Sequence, residues 1–282
     1  EEIGDIHIAA DIGCHAFATF EPFSMGNSIL GYGMSLASAA GVRQIQKKRT
    51  ISIMGDGGFW HNGLQTGVLS TLFNEGDAIL IIMQNGYASA TGQQYIPSSV
   101  KLDNQKPISI DIEKTLNALG VKWLKTIRTY SVDVMVKTLR EAMTTSFDGL
   151  KVIIADGECM LARQRRLKTD NRRKIEAGLK VVTPRFGVDD EICTGDHSCI
   201  RLSGCPSLTI KPNPDPLRTD PVAHVINSCV GCGLCGEIAH AAVLCPSFYK
   251  AERIQNPGQI EKVVHRIRQT IIGLMTNEKS IV

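Results

Sequence analysis

Two groups of residues in this chain have types and spacings suited to chemistry, and the first is cysteine. Of nine cysteines in 282 residues, Cys14 and Cys159 stand apart and seven fall between 193 and 245. "CVGCGLC" (229–235) sets Cys229, Cys232 and Cys235 at even C-x2-C-x2-C spacing, and Cys245-Pro246 follows. Three thiolates so spaced wrap one face of a [4Fe–4S] cube, whereas zinc sites favour separated C-x2-C pairs. "ICTGDHSCIRLSGCP" (192–206) repeats the pattern with one change. Cys193 and Cys199 take the outer slots, Asp196 the middle one, and Cys205-Pro206 closes the run after a gap of five residues. Both two-residue intervals around Asp196 are intact, which argues against random decay. A carboxylate is a harder ligand than a thiolate and holds iron more weakly. The first half is therefore read as a corner-altered cluster site, with an empty site as the alternative.

The second group is oxygen-rich. "MGDGGFW" (54–60) follows an apolar strand-like run, and its Gly55, Gly57 and Gly58 let backbone turn and approach a ligand closely around Asp56. The next such run, "AILIIM" (78–83), leads into "QNGYASATGQQ" (84–94) with the amide oxygen of Asn85. One helix and one strand separate Asp56 from Asn85, a single crossover that brings both loops to the same sheet edge. A carboxylate, an amide oxygen and loop carbonyls suit Mg²⁺, which takes six oxygens and leaves part of its shell for phosphate and water. His15 and His61 are candidate acid–base groups, although a single histidine near a site is more often merely hydrogen-bonded.

Positioning these groups requires a scaffold. "IHIAA" (6–10), "TISIM" (50–54), "AILIIM" (78–83), "VKWL" (121–124) and "KVIIA" (151–155) are short apolar runs, as in strands buried on both faces. Helical spacing occupies 29–45, 64–76, 112–120 and 131–143 between them. Alternation of this kind predicts an α/β unit with a parallel sheet and ligands at the carboxyl ends of its strands. The basic run "RQRRLKTDNRRK" (163–174) reads as a solvated helix leading into a linker, or as a docking surface for a partner or coenzyme A. The segment 260–275 reads as an amphipathic helix packing back on one of the domains.

Composition excludes some classes. Hydrophobic residues make up 43%, charged residues 21%, and the net charge is +3, too slight to indicate nucleic acid or an anionic membrane as partner. No apolar run is long enough to span a bilayer. Cysteines spaced for ligation, with no secretory signal in view, point to the cytoplasm. The chain opens without Met and is expected to be a piece of a longer polypeptide.

The GDG element paired with Asn85 resembles the diphosphate-binding motif of thiamine diphosphate enzymes. By that resemblance Asp56, Asn85 and the carbonyl of Tyr87 hold Mg²⁺ against the cofactor's diphosphate. The family usually carries Asn or Asp immediately before this Asn, where Gln84 stands here. "DIGCH" (11–15) and "ATGQ" (90–93) are similar to elements of 2-oxoacid:ferredoxin oxidoreductases, which places Cys14 on the site wall and Thr91 and Gly92 at the cofactor. The cysteine runs resemble those of two-cluster ferredoxins, in which each closing Cys-Pro serves the other half's cluster. One cluster would then use Cys229, Cys232, Cys235 and Cys205, and the other, [4Fe–4S] or [3Fe–4S], Cys193, Asp196, Cys199 and Cys245.

Thiamine unit first and ferredoxin-like unit second is an order that resembles the large subunit of the indolepyruvate:ferredoxin oxidoreductase family. The resemblance implies a thiamine diphosphate domain (1–162), a basic linker (163–186), a small α+β two-cluster ferredoxin-like domain (187–252) and a C-terminal helix (253–282). It further implies oxidative decarboxylation of an aryl 2-oxoacid, of indolepyruvate or phenylpyruvate type, to the acyl-coenzyme A. Electrons would leave singly through the clusters to ferredoxin or another acceptor. A pyrimidine domain lying N-terminal or on another chain, and a smaller second subunit, would complete a hetero-oligomer. The rivals are a non-redox thiamine-dependent decarboxylase and an electron-transfer subunit with a vestigial thiamine fold.

Overall fold

The computed structural model of the protein describes residues 6–21, 23–46, 49–99, 109–238 and 245–276. The chain divides into two compact units after Arg163.

The first unit is built on a six-stranded, wholly parallel sheet in the order β2-β1-β3-β4-β6-β5. The strands are β1 (Ile8–Ala10), β2 (Ser28–Ile29), β3 (Ile51–Gly55), β4 (Ile79–Gln84), β5 (Trp123–Arg128) and β6 (Lys151–Asp156). Side chains alternate across a strand, so β4 sends Leu80 and Ile82 into one core and Ile79 and Ile81 into the other. Val152 and Ile154 of β6 join the first core, and Ile153 and Ala155 the second. Helices over Ser35–Gln46, Ile112–Ala118 and Val132–Thr144 cover these faces. Asp111 caps the second of them, its carboxylate accepting the Lys114 N–H at 3.0 Å.

Two helix starts differ from the sequence reading. The first helix begins at Ser35 rather than near 29, because residues 28–29 form a strand paired with β1. After β3 no open turn intervenes: Asp56–Gly58 is already helical and continues as the π-helical Phe59–Leu69 and then Ser70–Phe73. Glycine packing explains this early start. Gly33 has φ +81°, and a Cβ there would meet the Gly58 carbonyl oxygen at 2.5 Å. A Cβ at Gly63 would meet the Met54 sulfur at 2.6 Å. The helix therefore seats close against the Gly33 loop and β3.

The amino-terminal edge of the sheet carries a buried ion pair. Lys151, fully buried, hydrogen-bonds Asp77 and the Gly149 carbonyl. Arg49 reaches the same carboxylate at 2.9 Å and the Met143 carbonyl at 2.7 Å. Burial alone would raise the pKa of Asp77, but hydrogen bonds from Lys151 and Arg49 hold it below its ordinary value.

The second unit pairs β7 (Val181–Val188) antiparallel with β10 (Phe248–Gln255), and β8 (Leu208–Lys211) antiparallel with β9 (Val222–Val225). Short helices, Ser198–Ser203 and Leu234–Ile238, precede the second strand of each half. The stretch expected as a linker, 163–186, is instead the greater part of a helix, Met160–Glu176, followed by β7. Pairing with β10 overrides Pro184, which would otherwise argue against a strand and is tolerated in a two-stranded sheet. The strand β10 likewise carries this unit past 252 to Gln255, and the last helix spans Gln259–Thr276. That helix does not pack back as expected. Ile260 and Leu274 are each 81% exposed, and Lys180–Glu261 is an ion pair at its first turn. Among the described residues, no helix is long and apolar enough to cross a membrane.

Candidate functional site

In the first unit the ends of β1, β3 and β4 lie side by side and deliver Asp11, Asp56 and Asn85 to one edge. Asp56 is fully buried. Its carboxylate accepts the Gly57 N–H at 2.9 Å on one oxygen, and those of Asn85 and Gly86 at 2.9 and 2.7 Å on the other. Burial pushes its pKa up to about 6, and the three amides oppose that rise. Asn85 turns its amide oxygen toward the following loop, where it accepts the Tyr87 N–H at 3.0 Å and the Ser89 hydroxyl at 3.1 Å. Ser99 donates to the Gly86 carbonyl and accepts from the Ile96 N–H, which holds the loop at both ends.

A cavity of about 50 Å³ opens here, walled by Asp56, Asn85, Tyr87, Cys14, His15 and Tyr32. A wider space of about 360 Å³ adjoins Asn85 and Tyr87 and is bounded by Gln84, Asp156 and Glu158. Gln84, the departure from the family pattern, donates to Asp156 at 3.2 Å. A Cβ on Gly57 would meet the Tyr32 hydroxyl at 2.2 Å and Ala88 at 3.1 Å, so a larger residue there would have to displace the tyrosine. Asp56, Asn85 and Tyr87 bring a carboxylate, a side-chain amide and a backbone carbonyl to the lining of this cavity, groups of the kind Mg²⁺ takes beside a diphosphate.

Sequence reasoning missed Asp11 and Tyr32. Asp11 is fully buried and accepts the Gly33 N–H with both oxygens, at 2.9 and 2.7 Å. Burial lifts its pKa to about 6, against hydrogen bonds from Gly33 and Ile12 and the charge of His61. It thereby anchors the Gly33 loop over the start of the Asp56 helix. The Tyr32 pKa is raised by burial and by the charges of Asp56 and Asp11, and its ring lies 5.1 Å from that of His61. An acidic residue directly after an apolar strand was the available signal, since Asp11 stands to β1 as Asp56 stands to β3. Nothing local marks Tyr32. His15 has its pKa lowered by burial, and its Nε2 is buried without a hydrogen-bond partner.

The second unit gathers cysteines. Cys193, Cys199 and Cys245 line one cavity of about 370 Å³, together with Asp196 and His197. Burial raises the Cys199 pKa, and the adjoining thiols of Cys245 and Cys193 raise it further. Burial also pushes Cys235 up to about 11, with Cys205, Cys232 and Cys229 adding to the rise. All nine cysteines are free thiols. The two halves share a backbone. Gly195 (φ +76°) and His197 (φ +56°) adopt the left-handed conformation, as do Gly231 (+67°) and Gly233 (+83°) at the matching positions. Holding a histidine there costs on the order of 1–3 kcal/mol, so the half with Asp196 in its middle slot keeps the loop shape of the half with Cys232 there. The Asp196 carboxylate is exposed and accepts the Ser198 hydroxyl at 2.7 Å. Hydrogen bonds from Ser198 lower its pKa.

Residues 11–155 match the family described as thiamine pyrophosphate enzyme, C-terminal TPP binding domain. The chain belongs to this family. Over 243 residues it is 26% identical to the indolepyruvate oxidoreductase subunit IorA of Pyrococcus horikoshii, covering 81% of this chain and 35% of that protein. It is 25% identical over 248 residues to the subunit of the same name from Archaeoglobus fulgidus, covering 88% of this chain and 36% of that one. The chain thus spans about a third of the length of the curated relatives it matches. A solved 2-oxoglutarate:ferredoxin oxidoreductase from Magnetococcus marinus superposes with a TM-score of 0.47 at 15% identity, over 55% of this chain and 54% of that one.

Within the thiamine pyrophosphate unit, Gly55 caps the Asp56 helix in extended conformation, and Gly58 lies against Asp11. Cys14, exposed, opens a short 3-10 helix (Cys14–Thr19) at the cavity wall. Thr91 and Gly92 directly follow Ala90, which lines the cavity. Thr91 donates to the Ala88 carbonyl and to Gln94 at the exposed tip of the loop, and Gly92 (φ +101°) makes its turn. Both lie within the turn closed by the Ala88–Gln94 bridge.

Proposed function

We propose that the chain is the cofactor-binding and electron-exporting part of an oxidative 2-oxoacid decarboxylase acting on an arylpyruvate, of indolepyruvate or phenylpyruvate type. The observation that carries this reading is the meeting of Asp56, Asn85 and Tyr87 on one cavity wall, in a chain whose second unit collects seven cysteines. Asp56 and Asn85 supply side-chain oxygens to Mg²⁺, and Tyr87 its carbonyl. The amides that already hold Asp56 leave it little freedom to move, so cation binding orders little else. When bound, thiamine diphosphate supplies the electron sink for loss of CO₂, and the clusters accept the two electrons one at a time. Tyr32 roofs Gly57 and narrows the space over the diphosphate end. Gly55 and Gly58 allow close backbone approach beside it.

In the second unit Cys229, Cys232, Cys235 and Cys205 hold one cluster, and Cys193, Asp196, Cys199 and Cys245 the other. What favours this partition is the single cavity lined by Cys193, Asp196, Cys199 and Cys245 and by none of the other set. The unit is then ferredoxin-like, from β7 to β10. Thiols reserved for iron require a reducing compartment, and the cytoplasm is the reading. The IorA relatives are named as subunits, which supports a hetero-oligomer with a second chain. A pyrimidine-side domain completes the cofactor site, and coenzyme A receives the acyl group. Ferredoxin or another one-electron acceptor takes the electrons.

The test is anaerobic EPR of the intact complex with and without an arylpyruvate. Substrate-dependent reduction of iron–sulfur signals is expected, together with thiamine diphosphate in the purified complex. EPR silence with substrate present overturns the redox reading.

A further inference from the structure

The two cysteine triplets share a feature that no ligand assignment uses. Arg218 donates to the carbonyl of Cys193 at 3.0 Å, and Arg185 donates to the carbonyl of Cys229. Each acceptor belongs to the first cysteine of its triplet. The arginines are unrelated in position: Arg185 lies on β7, Arg218 in the loop between β8 and β9. Yet the settings correspond. A Cβ on Gly231 would meet the Pro184 carbonyl oxygen, next to Arg185, at 2.1 Å. A Cβ on Gly195 would meet the Pro221 carbonyl oxygen, in the Arg218 loop, at 3.1 Å. In both halves a left-handed glycine lets a neighbouring segment close in and deliver a guanidinium to the same carbonyl. Both side chains are half-buried, where screening by water is weaker than at the open surface.

We propose that Arg185 and Arg218 set the reduction potentials of the two clusters, one arginine for each; this rests on the cluster reading above. A cluster that takes up one electron gains one negative charge, and its potential follows net charge and hydrogen bonding around it. Guanidinium stays protonated at all working pH, so a fixed positive charge beside each first cysteine stabilises the reduced form. The bond to the carbonyl also fixes the plane of the following peptide, because that unit is rigid. The charge, more than the hydrogen bond, carries the effect.

The experiment is an EPR-monitored potentiometric titration of the intact anaerobic complex, with dithionite as electron donor. Arg185→Gln keeps an N–H donor and removes the charge; Arg185→Lys keeps the charge; the same pair is made at Arg218. Each glutamine variant is expected to move one midpoint potential to more negative values and leave the other in place. The two variants should move different potentials. Lysine variants are expected to stay near the wild-type values. Fully iron-loaded glutamine variants with unmoved potentials overturn the proposal. Should glutamine cost iron, a fully loaded lysine variant with a shifted potential overturns it as well. Wild-type complex lacking iron and acid-labile sulfide refutes the underlying cluster reading instead.

Discussion

The two units bury different things. In the first, the core is aliphatic: Leu80, Ile82, Val152 and Ile154 on one face of the sheet, Ile79 and Ile153 on the other. Its chemical groups sit at the strand ends, outside that core. In the second, Leu208 and Phe248 pack directly with Cys235, Cys199, Cys205 and Cys245. There the groups that would bind a cofactor are the core. A small unit with few apolar residues needs a staple, so the thiamine unit should fold without its cofactor and the cysteine unit should depend on iron.

Iron removal breaks or upholds that contrast most directly. Chelation under mild oxidation should abolish hydrogen-exchange protection in β7, β8, β9 and β10 and leave it intact in β3, β4 and β6. Equal loss in both units would erase the difference. Next comes the thiamine site, where Asp56→Asn removes the charge and one of the two oxygens that accept backbone amides. Outer-shell partners of a metal alone are worth about 10- to 100-fold in affinity. If Asp56 is the proposed ligand, this change should weaken Mg²⁺–thiamine diphosphate binding by at least about 100-fold in calorimetry.

The buried pair at the opposite edge tests stability without chemistry. Asp77→Ala strands Lys151 in the interior and should destabilise the first unit by roughly 3–5 kcal/mol in denaturant unfolding. Cofactor affinity measured in the folded range should not change. In the second unit Asp196→Cys should increase the iron retained after a brief chelator challenge by about one atom per chain, since thiolate is the softer ligand. An unchanged count would mean that this corner is not a ligand position.

The smallest effect is the pH dependence set by Asp11. Its pKa rises from 3.8 to about 6 in the fold, so the folded state binds more protons than the unfolded state between those values. Stability of the cofactor-free first unit should therefore fall as pH rises through that window. Asp56 carries the same rise, so Asp11→Asn should reduce this slope without abolishing it in thermal unfolding curves, and a slope of wild-type size in the variant would remove Asp11 as one of its sources.

Much of the first unit could be read from local pattern. Runs such as "AILIIM" and "KVIIA" are strands because β-branched and aliphatic residues fill both faces of a parallel sheet. Asp56 and Asn85 were legible because each directly follows such a run, and one crossover must bring them together. The bond from Gly33 to Asp11, across 22 positions, follows no periodicity, and the Tyr32 ring over Gly57 is equally invisible. In the second unit cysteine spacing marked candidate ligands, but β7 was hidden by Pro184 and by charge.

Sequence alone singled out Asp56, Asn85 and the cysteine runs as candidates for chemistry, because a carboxylate after a buried strand and evenly spaced thiols are patterns local spacing can reveal. It also determined the parallel sheet, because alternation of apolar runs and helical spacing admits little else. Tertiary structure alone decided that Asp11 holds the Gly33 loop, that the Asp56 helix starts without a turn, and that Arg185 and Arg218 reach matching carbonyls. Those contacts depend on backbones approaching closely at glycines far apart in the chain, and close approach is a property of the packed molecule.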